Sequence, residues 1–221
     1  MKRIEQWGGS LLLSVLGGIS IAVGGTVYLS LENAMVGAML FTIGLMTIYV
    51  FGWSLFTGKV GYAVYSDPKQ ILGLLWVWVG NFIGTGATAF LLSLTRHAPK
   101  LQQKAQAMAQ AKENDSLLSL FVLAVFCGAL MYIAVEGYRS NPHQLGKYLA
   151  LFLSVMVFIL CGFEHCIANM FYFSVAGLTA KSLLCLLVMS LGNLVGGAGC
   201  ARLNGWAHRL HAGNQPAGGN A

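Results

Sequence analysis

Charged residues are scarce in this sequence. Asp, Glu, Lys and Arg together make up 9% of its 221 residues, against 57% hydrophobic residues, whereas soluble domains carry about a quarter charged residues. The composition therefore excludes an ordinary soluble domain. The formal net charge of +6 does not indicate nucleic acid, because no basic stripe is interleaved with aromatic residues, and we expect no nucleic-acid partner.

Several motifs of enzymes and cofactor-binding proteins are also missing. The sequence has no Gly-x-Ser-Gly serine, no His-Glu-x-x-His metal motif and no Cys-x-x-Cys pair. Two histidines on facing helices would suit a haem, but only His165 lies deep in an apolar segment. We therefore expect no metal, no cofactor and no enzymatic activity. An intramembrane enzyme that uses Glu164 and His165 as acid and base stays open as an alternative.

What the sequence does contain is long apolar runs. A bilayer span needs roughly 20 apolar residues, and five stretches carry no charge over that length: 11–31, 34–58, 70–95, 116–135 and 182–201. A sixth apolar region covers 148–180. These runs predict six spans in a single membrane domain, residues 1–211, in an all-α protein. A glycine- and asparagine-rich tail, 212–221, is predicted to be disordered.

Two of the apolar regions are too long for simple spans. Residues 34–66 and 148–180 would each extend about 50 Å as straight helices, while the hydrocarbon core is roughly 30 Å thick. Each region also carries a polar interruption, Thr57-Gly58-Lys59 in the first and residues 162–165 in the second. We expect two broken helices, whose loops survive at membrane depth only where they line a cavity or are buried in protein.

A repeated pentapeptide divides the chain into two halves. GNFIG at 80–84 recurs as GNLVG at 192–196, 112 residues later. This spacing predicts repeat one at 10–95, a polar connector at 96–115 with a surface helix from Lys100, and repeat two at 116–211. Three spans per repeat would invert the second repeat relative to the first, as in many transporters and channels. Asn81 and Asn193 are expected to form hydrogen bonds between helices.

The residues with chemical potential gather at the two interruptions. An ionisable residue inside a membrane is costly and is a functional candidate by default, which singles out His165. Thr57 lies in the matching interruption, and its hydroxyl can donate to a histidine nitrogen or to a passing oxygen. Glu164 is expected to hydrogen-bond the loop of the broken helix, because a bare carboxylate would repel an anionic solute.

These motifs together resemble a known family. FTG at 56–58 and GFEHCIANMF at 162–171, with GNFIG and GNLVG, are similar to the formate/nitrite transporter family, and the likeness extends to about Trp206. The resemblance implies a homopentamer in the lipid bilayer, with one pore for small monovalent anions in each aquaporin-like protomer. By the same resemblance, His165 is the central histidine, Glu164 precedes it, Thr57 is the first-loop threonine, and Asn169 supports them.

The resemblance also implies a set of pore residues. The gate and constriction residues would be Leu55, Phe56, Phe41, Leu45, Phe158 and Met131, and Lys112 would be the basic residue of the outer vestibule. Two departures stand out. Family members often have an asparagine in the fourth span, where this chain has Gly128, and the short N-terminal segment offers no match for a basic vestibule residue found there.

The expected function is a channel for formate, nitrite or a similar weak-acid anion, with His165 aiding a pH-dependent, proton-linked passage. A hydrosulfide channel of the same family is the alternative within that class. The physiological anion, the direction of transport and the choice between channel and symport stay open. We expect a multi-pass protein of a bacterial inner membrane. Both termini would be cytoplasmic, since that orientation puts seven basic residues inside against five outside.

Overall fold

The structure, a computed structural model, describes residues 2–65 and 68–213, and within these residues all regular structure is helical. This confirms the predicted all-α class. Ten α-helices follow in order: α1 Lys2–Ser30, α2 Ala34–Phe41, α3 Ile43–Phe51, α4 Phe56–Lys59, α5 Pro68–Ser93, α6 Ala98–Glu113, α7 Leu117–Ser140, α8 Gln144–Leu160, α9 Cys166–Ala176 and α10 Ala180–Gly213. A 3-10 helix, Val60–Tyr65, continues α4.

Five helical stretches are long and apolar enough to cross a membrane. They are Gly9–Ser30, Ala34–Phe51, Leu72–Ser93, Leu117–Ser140 and Ala180–His211. Helices α8 and α9 are apolar but shorter, and they are the two parts of one broken segment. Many large apolar side chains on these stretches, such as Leu72, Phe90 and Leu118, point outward and are exposed. Such a surface is stable in lipid or against other subunits, and not in water.

The first broken segment separates at a different place from the one predicted. Helix α3 ends at Phe51, Gly52 after it adopts a left-handed φ of 69°, and residues 52–55 are non-helical. The predicted interruption at Thr57-Gly58-Lys59 was wrong, because these residues form most of α4. Glycine reaches positive φ without steric cost, so the chain turns at Gly52 even though its surroundings in the sequence are apolar.

The second broken segment separates where it was predicted. Helix α8 ends at Leu160, and α9 starts at Cys166. Between them Gly162 adopts a φ of 68°, matching Gly52 in the first repeat. Both loops therefore use one glycine in the left-handed region to leave a helix inside the apolar core.

Asn81 on α5 holds the first loop in place. Its Oδ1 accepts a hydrogen bond from the Phe56 N–H at 2.9 Å, which is the first N–H of α4. Its Nδ2 donates to the carbonyl oxygens of Ser14, at 2.7 Å, and Ser54, at 2.9 Å. One fully buried amide thus satisfies three backbone groups that no water reaches.

Asn193 on α10 does the same for the second loop. Its Oδ1 accepts from the Cys166 N–H at 2.9 Å, and its Nδ2 donates to the carbonyls of Ala124 and Glu164, both at 2.8 Å. The predicted interhelical hydrogen bonds of both asparagines are confirmed, and each asparagine also bonds a broken-helix loop. The GNxxG repeat therefore reflects two copies of one structural unit.

The connector between the repeats is more than a surface helix. Helix α6 begins at Ala98, two residues before the predicted start, and buries one face through Leu101, Ala105 and Ala109. It packs against α1 and α9. This face brings the connector next to the second broken segment, while its opposite face stays exposed.

Helix α10, 34 residues long, is the longest of the described helices. The predicted span at 182–201 covers only part of it, and its C-terminal half is mostly exposed. The first two positions of the tail predicted at 212–221 belong to this helix. The remaining positions, 214–221, lie outside the described residues, so the prediction of disorder stays a prediction.

Candidate functional site

The ends of the two broken segments meet at a hydrogen bond. Thr57 Oγ1, in the first turn of α4, lies 2.7 Å from His165 Nε2, at the start of α9. Both residues are buried, with 1% and 2% of their surface exposed. The fold thus joins the two residues that were singled out on chemical grounds, although 108 positions separate them.

The second ring nitrogen fixes the tautomer of His165. Its Nδ1 accepts a hydrogen bond from the Ala168 N–H at 3.1 Å, so the side chain caps the N-terminus of α9. A nitrogen that accepts cannot carry a hydrogen, so the neutral ring is protonated at Nε2. It follows that Nε2 donates to Thr57 Oγ1. The hydroxyl hydrogen of Thr57 is then available to another acceptor, which reverses the expected direction of donation.

Two predicted constriction residues lie beside this pair. The Phe158 ring stacks on the His165 ring, with centroids 5.3 Å apart and planes at 14°. The Phe41 ring meets the Phe158 ring edge to face at 6.1 Å and 87°. Three rings from α2, α8 and the second loop therefore form one continuous contact. Apart from the imidazole, this contact is apolar.

The other predicted gate residues are buried in the same hydrophobic core. Leu45 on α3, Leu55 in the first loop and Met131 on α7 are 1%, 2% and 1% exposed and belong to the same hydrophobic core. Phe56 is 8% exposed. It lines an apolar groove of about 400 Å³ between α5 and α10.

A second polar cluster lies next to the pair. The Lys112 ammonium on α6 donates to both carboxylate oxygens of Glu164, at 2.6 and 2.5 Å. The Asn169 amide nitrogen donates to Glu164 Oε2 at 2.8 Å and to the His165 carbonyl at 3.0 Å. Because both of these partners are acceptors, the amide orientation is fixed. Asn169 Oδ1 is buried and has no hydrogen-bond partner among the described residues.

These two clusters share a cavity of about 100 Å³, which we call the vestibule. Five of the predicted site residues line it: Lys112, Glu164, His165, Asn169 and Phe158. The other lining residues were not predicted from the sequence: Tyr28, Met108, Ile159, Gly162, Phe163, Ala168 and Tyr172. Helical spacing was an available signal, since Met108 stands one turn before Lys112.

A further polar cluster, which was not predicted either, lies at the C-terminal ends of α3 and α7. The Tyr62 hydroxyl donates to Glu136 Oε2 at 2.7 Å, and the Arg139 guanidinium lies 4.6 Å from the centre of the Tyr62 ring. The rings of Tyr49 and Tyr138 are 5.2 Å apart. No sequence motif marks these residues, because they come from three separate elements.

Gly128 has a packing role. A Cβ at this position would lie 2.2 Å from the Asn193 carbonyl oxygen. Helices α7 and α10 are therefore in contact there, and an asparagine would not fit this arrangement. The absence of a polar side chain at 128 is explained by the close approach of the two helices.

The fold and the site together define a class. Apolar helices, two broken segments whose ends meet inside the core, and a buried imidazole–hydroxyl pair beside a small cavity are features of multi-pass membrane transport proteins. The sequence profile described as "Formate/nitrite transporter" matches residues 1–207, and the chain belongs to this family. The predicted resemblance is confirmed. So is the prediction of a transport protein rather than an enzyme.

Two relatives illustrate the match. The chain is 30% identical to the formate channel BtFdhC of Bacillus thuringiensis over 217 residues, which cover 86% of this chain and 82% of the relative. It is also 30% identical to a probable formate transporter of Methanothermobacter thermautotrophicus over 240 residues, or 90% and 88% of the two chains.

Solved structures share the fold. A structure described as a pentameric formate channel with formate bound superposes with a TM-score of 0.77 at 23% identity, and the match covers 93% of this chain and 98% of the other. A structure described as an FNT family ion channel superposes with a TM-score of 0.79 at 24% identity, and this match covers 93% of this chain and 90% of the other.

Proposed function

We propose that this chain forms a channel for small monovalent anions of weak acids, with formate or nitrite as its substrates. The observation that carries the proposal is the 2.7 Å hydrogen bond between Thr57 and His165. It provides a polar station next to the apolar rings of Phe41 and Phe158. Two relatives whose names specify formate, each 30% identical to this chain, support the choice of substrate.

The apolar walls explain why a proton is part of the proposal. Phe41 and Phe158 lie beside the station, and Leu45 is buried in the same core. Moving an unpaired carboxylate out of water into such surroundings is prohibitive. A neutral acid crosses at much lower cost. Passage therefore requires that the anion and a proton meet near the station.

The geometry of His165 supports a specific sequence of proton steps. A proton on Nδ1 would face the Ala168 N–H, so the resting ring stays neutral. An anion beside Thr57 offsets the loss of that cap, and the ring then takes a proton. That proton comes from water and binds at Nδ1. The imidazolium then passes its Nε2 proton to Thr57 Oγ1 while the Thr57 hydroxyl proton moves to the anion, and the neutral acid that results crosses the apolar rings. The ring is left with its hydrogen on Nδ1; loss of that proton to water and uptake of one at Nε2 restore the resting form and the hydrogen bond from the Ala168 N–H.

Asn169 extends this path into the vestibule. Its Oδ1 is an acceptor without a partner among the described residues, and the residue lines the vestibule together with His165. An acid O–H group is a suitable donor for it, whereas a bare anion has no hydrogen to offer. Asn169 therefore favours the protonated form of the solute on that side of the station.

A test of the station uses formate uptake into proteoliposomes over a range of pH. In the wild type, uptake is expected to increase as the pH falls. His165→Asn keeps a side-chain acceptor for the Ala168 N–H but does not titrate, so its pH profile should flatten. Thr57→Val should reduce uptake about tenfold, and Thr57→Ser should preserve it. An unchanged pH profile in His165→Asn would overturn the proton role of the station.

A competition experiment identifies which anion the channel prefers. Unlabelled nitrite, hydrosulfide, acetate and lactate would each compete with labelled formate for uptake, and their relative potency ranks the substrates. Strong competition by hydrosulfide together with weak competition by nitrite would favour the hydrosulfide alternative.

The number of spans, the assembly and the orientation in the membrane are also proposals. We infer six spans in each protomer, five identical protomers with one pore each, and both termini in the cytoplasm of a bacterial cell. The fold of the pentameric formate channel supports this assembly. The orientation is favoured by the basic residues on the inner side: Lys2, Arg3, Lys69, Arg139, Lys147, Arg202 and Arg209.

A further inference from the structure

Lys112, expected to be the basic residue of the vestibule, carries no free charge. Its ammonium lies 2.6 and 2.5 Å from the two oxygens of Glu164. The ion pair is neutral as a unit, and its two side chains are only 16% and 6% exposed. An anion that approaches the vestibule is therefore drawn only weakly by Lys112, and another group must supply a positive field.

Lys104 lies two turns earlier on the same face of α6. Eight residues correspond to about 12 Å along a helix axis, and Met108, midway between the two lysines, lines the vestibule. The Lys104 ammonium lies 5.4 Å from the centre of the Tyr28 ring, and Tyr28 also lines the vestibule. Tyr28 thus contacts both this ammonium and the cavity.

The charge of Lys104 is not cancelled. The ammonium donates to the carbonyl oxygens of Tyr28, at 3.2 Å, and of Leu31, which are neutral groups. Glu32, the carboxylate next to Leu31, lies 3.4 Å from Lys100 instead. Within residues 2–65 and 68–213, no carboxylate pairs with Lys104.

We propose that Lys104 is the electrostatic steering residue of the vestibule, which attracts the small anion toward Tyr28 and the Lys112–Glu164 pair. The inference rests on the proposed function, because it assumes an anionic solute. The carbonyls of α1 and the Tyr28 ring hold the ammonium in one place. Lys104 is half-buried, so its field is less screened than that of a solvent-exposed lysine.

The test compares initial formate uptake, well below saturation, at low and high ionic strength. Lys104→Gln keeps an amide donor for the two carbonyls and loses the charge. At about 0.01 M salt, where the Debye length is about 30 Å, uptake should fall on the order of 3- to 10-fold. At about 1 M salt, where it is about 3 Å, the variant should match the wild type. Lys104→Arg should retain wild-type uptake at both.

Lys100→Gln is the matched control, because Lys100 lies one turn away, is exposed and is paired with Glu32. It should stay within about twofold of the wild type at low salt. Three results would overturn the steering role: an equal loss in Lys104→Gln at both salt concentrations, which indicates capping of α1 alone; no loss at either; or an equal low-salt loss in Lys100→Gln. All three leave the proposed function intact, whereas a wild type without anion flux would overturn both.

Discussion

Asn193 and Asn81 show how one side chain makes a loop possible inside the membrane. Each amide uses both its acceptor and its donors on backbone groups of the loop and of a neighbouring helix. In a bilayer these groups have no water to bond instead. The stability of both broken segments therefore depends on two residues that take no part in the chemistry.

Asn193→Ala should be strongly destabilising. It would leave the Cys166 N–H and the carbonyls of Ala124 and Glu164 without this partner, at a cost of about 1–3 kcal/mol for each unpaired buried group. Thermal unfolding of the purified protein in detergent would measure the loss. Asn204→Ala is the control on the same helix, because Asn204 is exposed and donates a surface hydrogen bond to Tyr132. Equal unfolding midpoints for the two variants would contradict this stabilising role of Asn193.

The Lys112–Glu164 pair should behave as a unit. Breaking a buried pair from one side typically costs about 3–5 kcal/mol, since the remaining charge is left uncompensated. We expect Lys112→Met and Glu164→Gln each to lower the unfolding midpoint, and the double variant to be more stable than the two single effects predict. The coupling should be about 1–3 kcal/mol. Additive effects would show that the two residues do not depend on each other.

At the residue scale, the sequence could predict which side chains are chemically unusual but not how they pair. His165 and Thr57 stood out because polar groups are rare in apolar segments. The partner of Glu164 is on a helix 52 positions away in the sequence, and pairing over that distance leaves no local pattern. The same holds for the Nδ1 cap of His165, which decides the direction of its hydrogen bond to Thr57.

Among the helices, close packing depends on glycine at a few contacts. A Cβ at Gly196 would lie 1.9 Å from the Val125 carbonyl oxygen, and one at Gly84 would lie 2.1 Å from that of Val15. These contacts join α10 to α7 and α5 to α1, which are equivalent pairs in the two repeats. Small residues at such contacts allow membrane helices to approach.

Gly196→Ala should therefore separate α7 from α10 and destabilise the fold by about 1–3 kcal/mol or more. Gly199→Ala is a control three positions along the same helix, where an added Cβ meets nothing within 4 Å. That change should be neutral or stabilising by up to about 1 kcal/mol, because alanine favours a helix over glycine. Comparison of the two unfolding midpoints in detergent tests this, and a Gly199→Ala loss as large as that of Gly196→Ala would contradict it.

The two breaks differ in how far they could be predicted. The second coincides with a polar stretch, so composition located it. The first lies at Gly52-Trp53-Ser54-Leu55, next to residues whose composition is typical of an apolar helix. The prediction placed the break at Thr57-Gly58-Lys59 instead, because that stretch is more polar. The chain turns at Gly52 because Asn81 captures the first N–H of α4 four residues later, and this contact comes from another span.

For the whole molecule, the exposed apolar surface predicts assembly. Leu72, Phe90, Leu118 and Leu203 are among many large side chains that are more than half exposed in one protomer. Part of this surface faces lipid, and the proposed pentamer covers another part. Native mass spectrometry or chemical cross-linking in mild detergent should give a species five times the protomer mass of 23.6 kDa. A stable monomer under the same conditions would contradict the proposed assembly.

The sequence by itself determined the membrane environment, the helical class, the existence of two broken segments and the chemically unusual residues Thr57 and His165. These follow from hydrophobicity, length and rare polar residues, which are local properties that add up along the chain. Only the tertiary structure decided where the first break lies, which nitrogen of His165 carries its hydrogen, and that Lys112 is neutralised while Lys104 is not. Each of these depends on a contact between residues that are distant in the sequence, and such contacts exist only after the helices have packed.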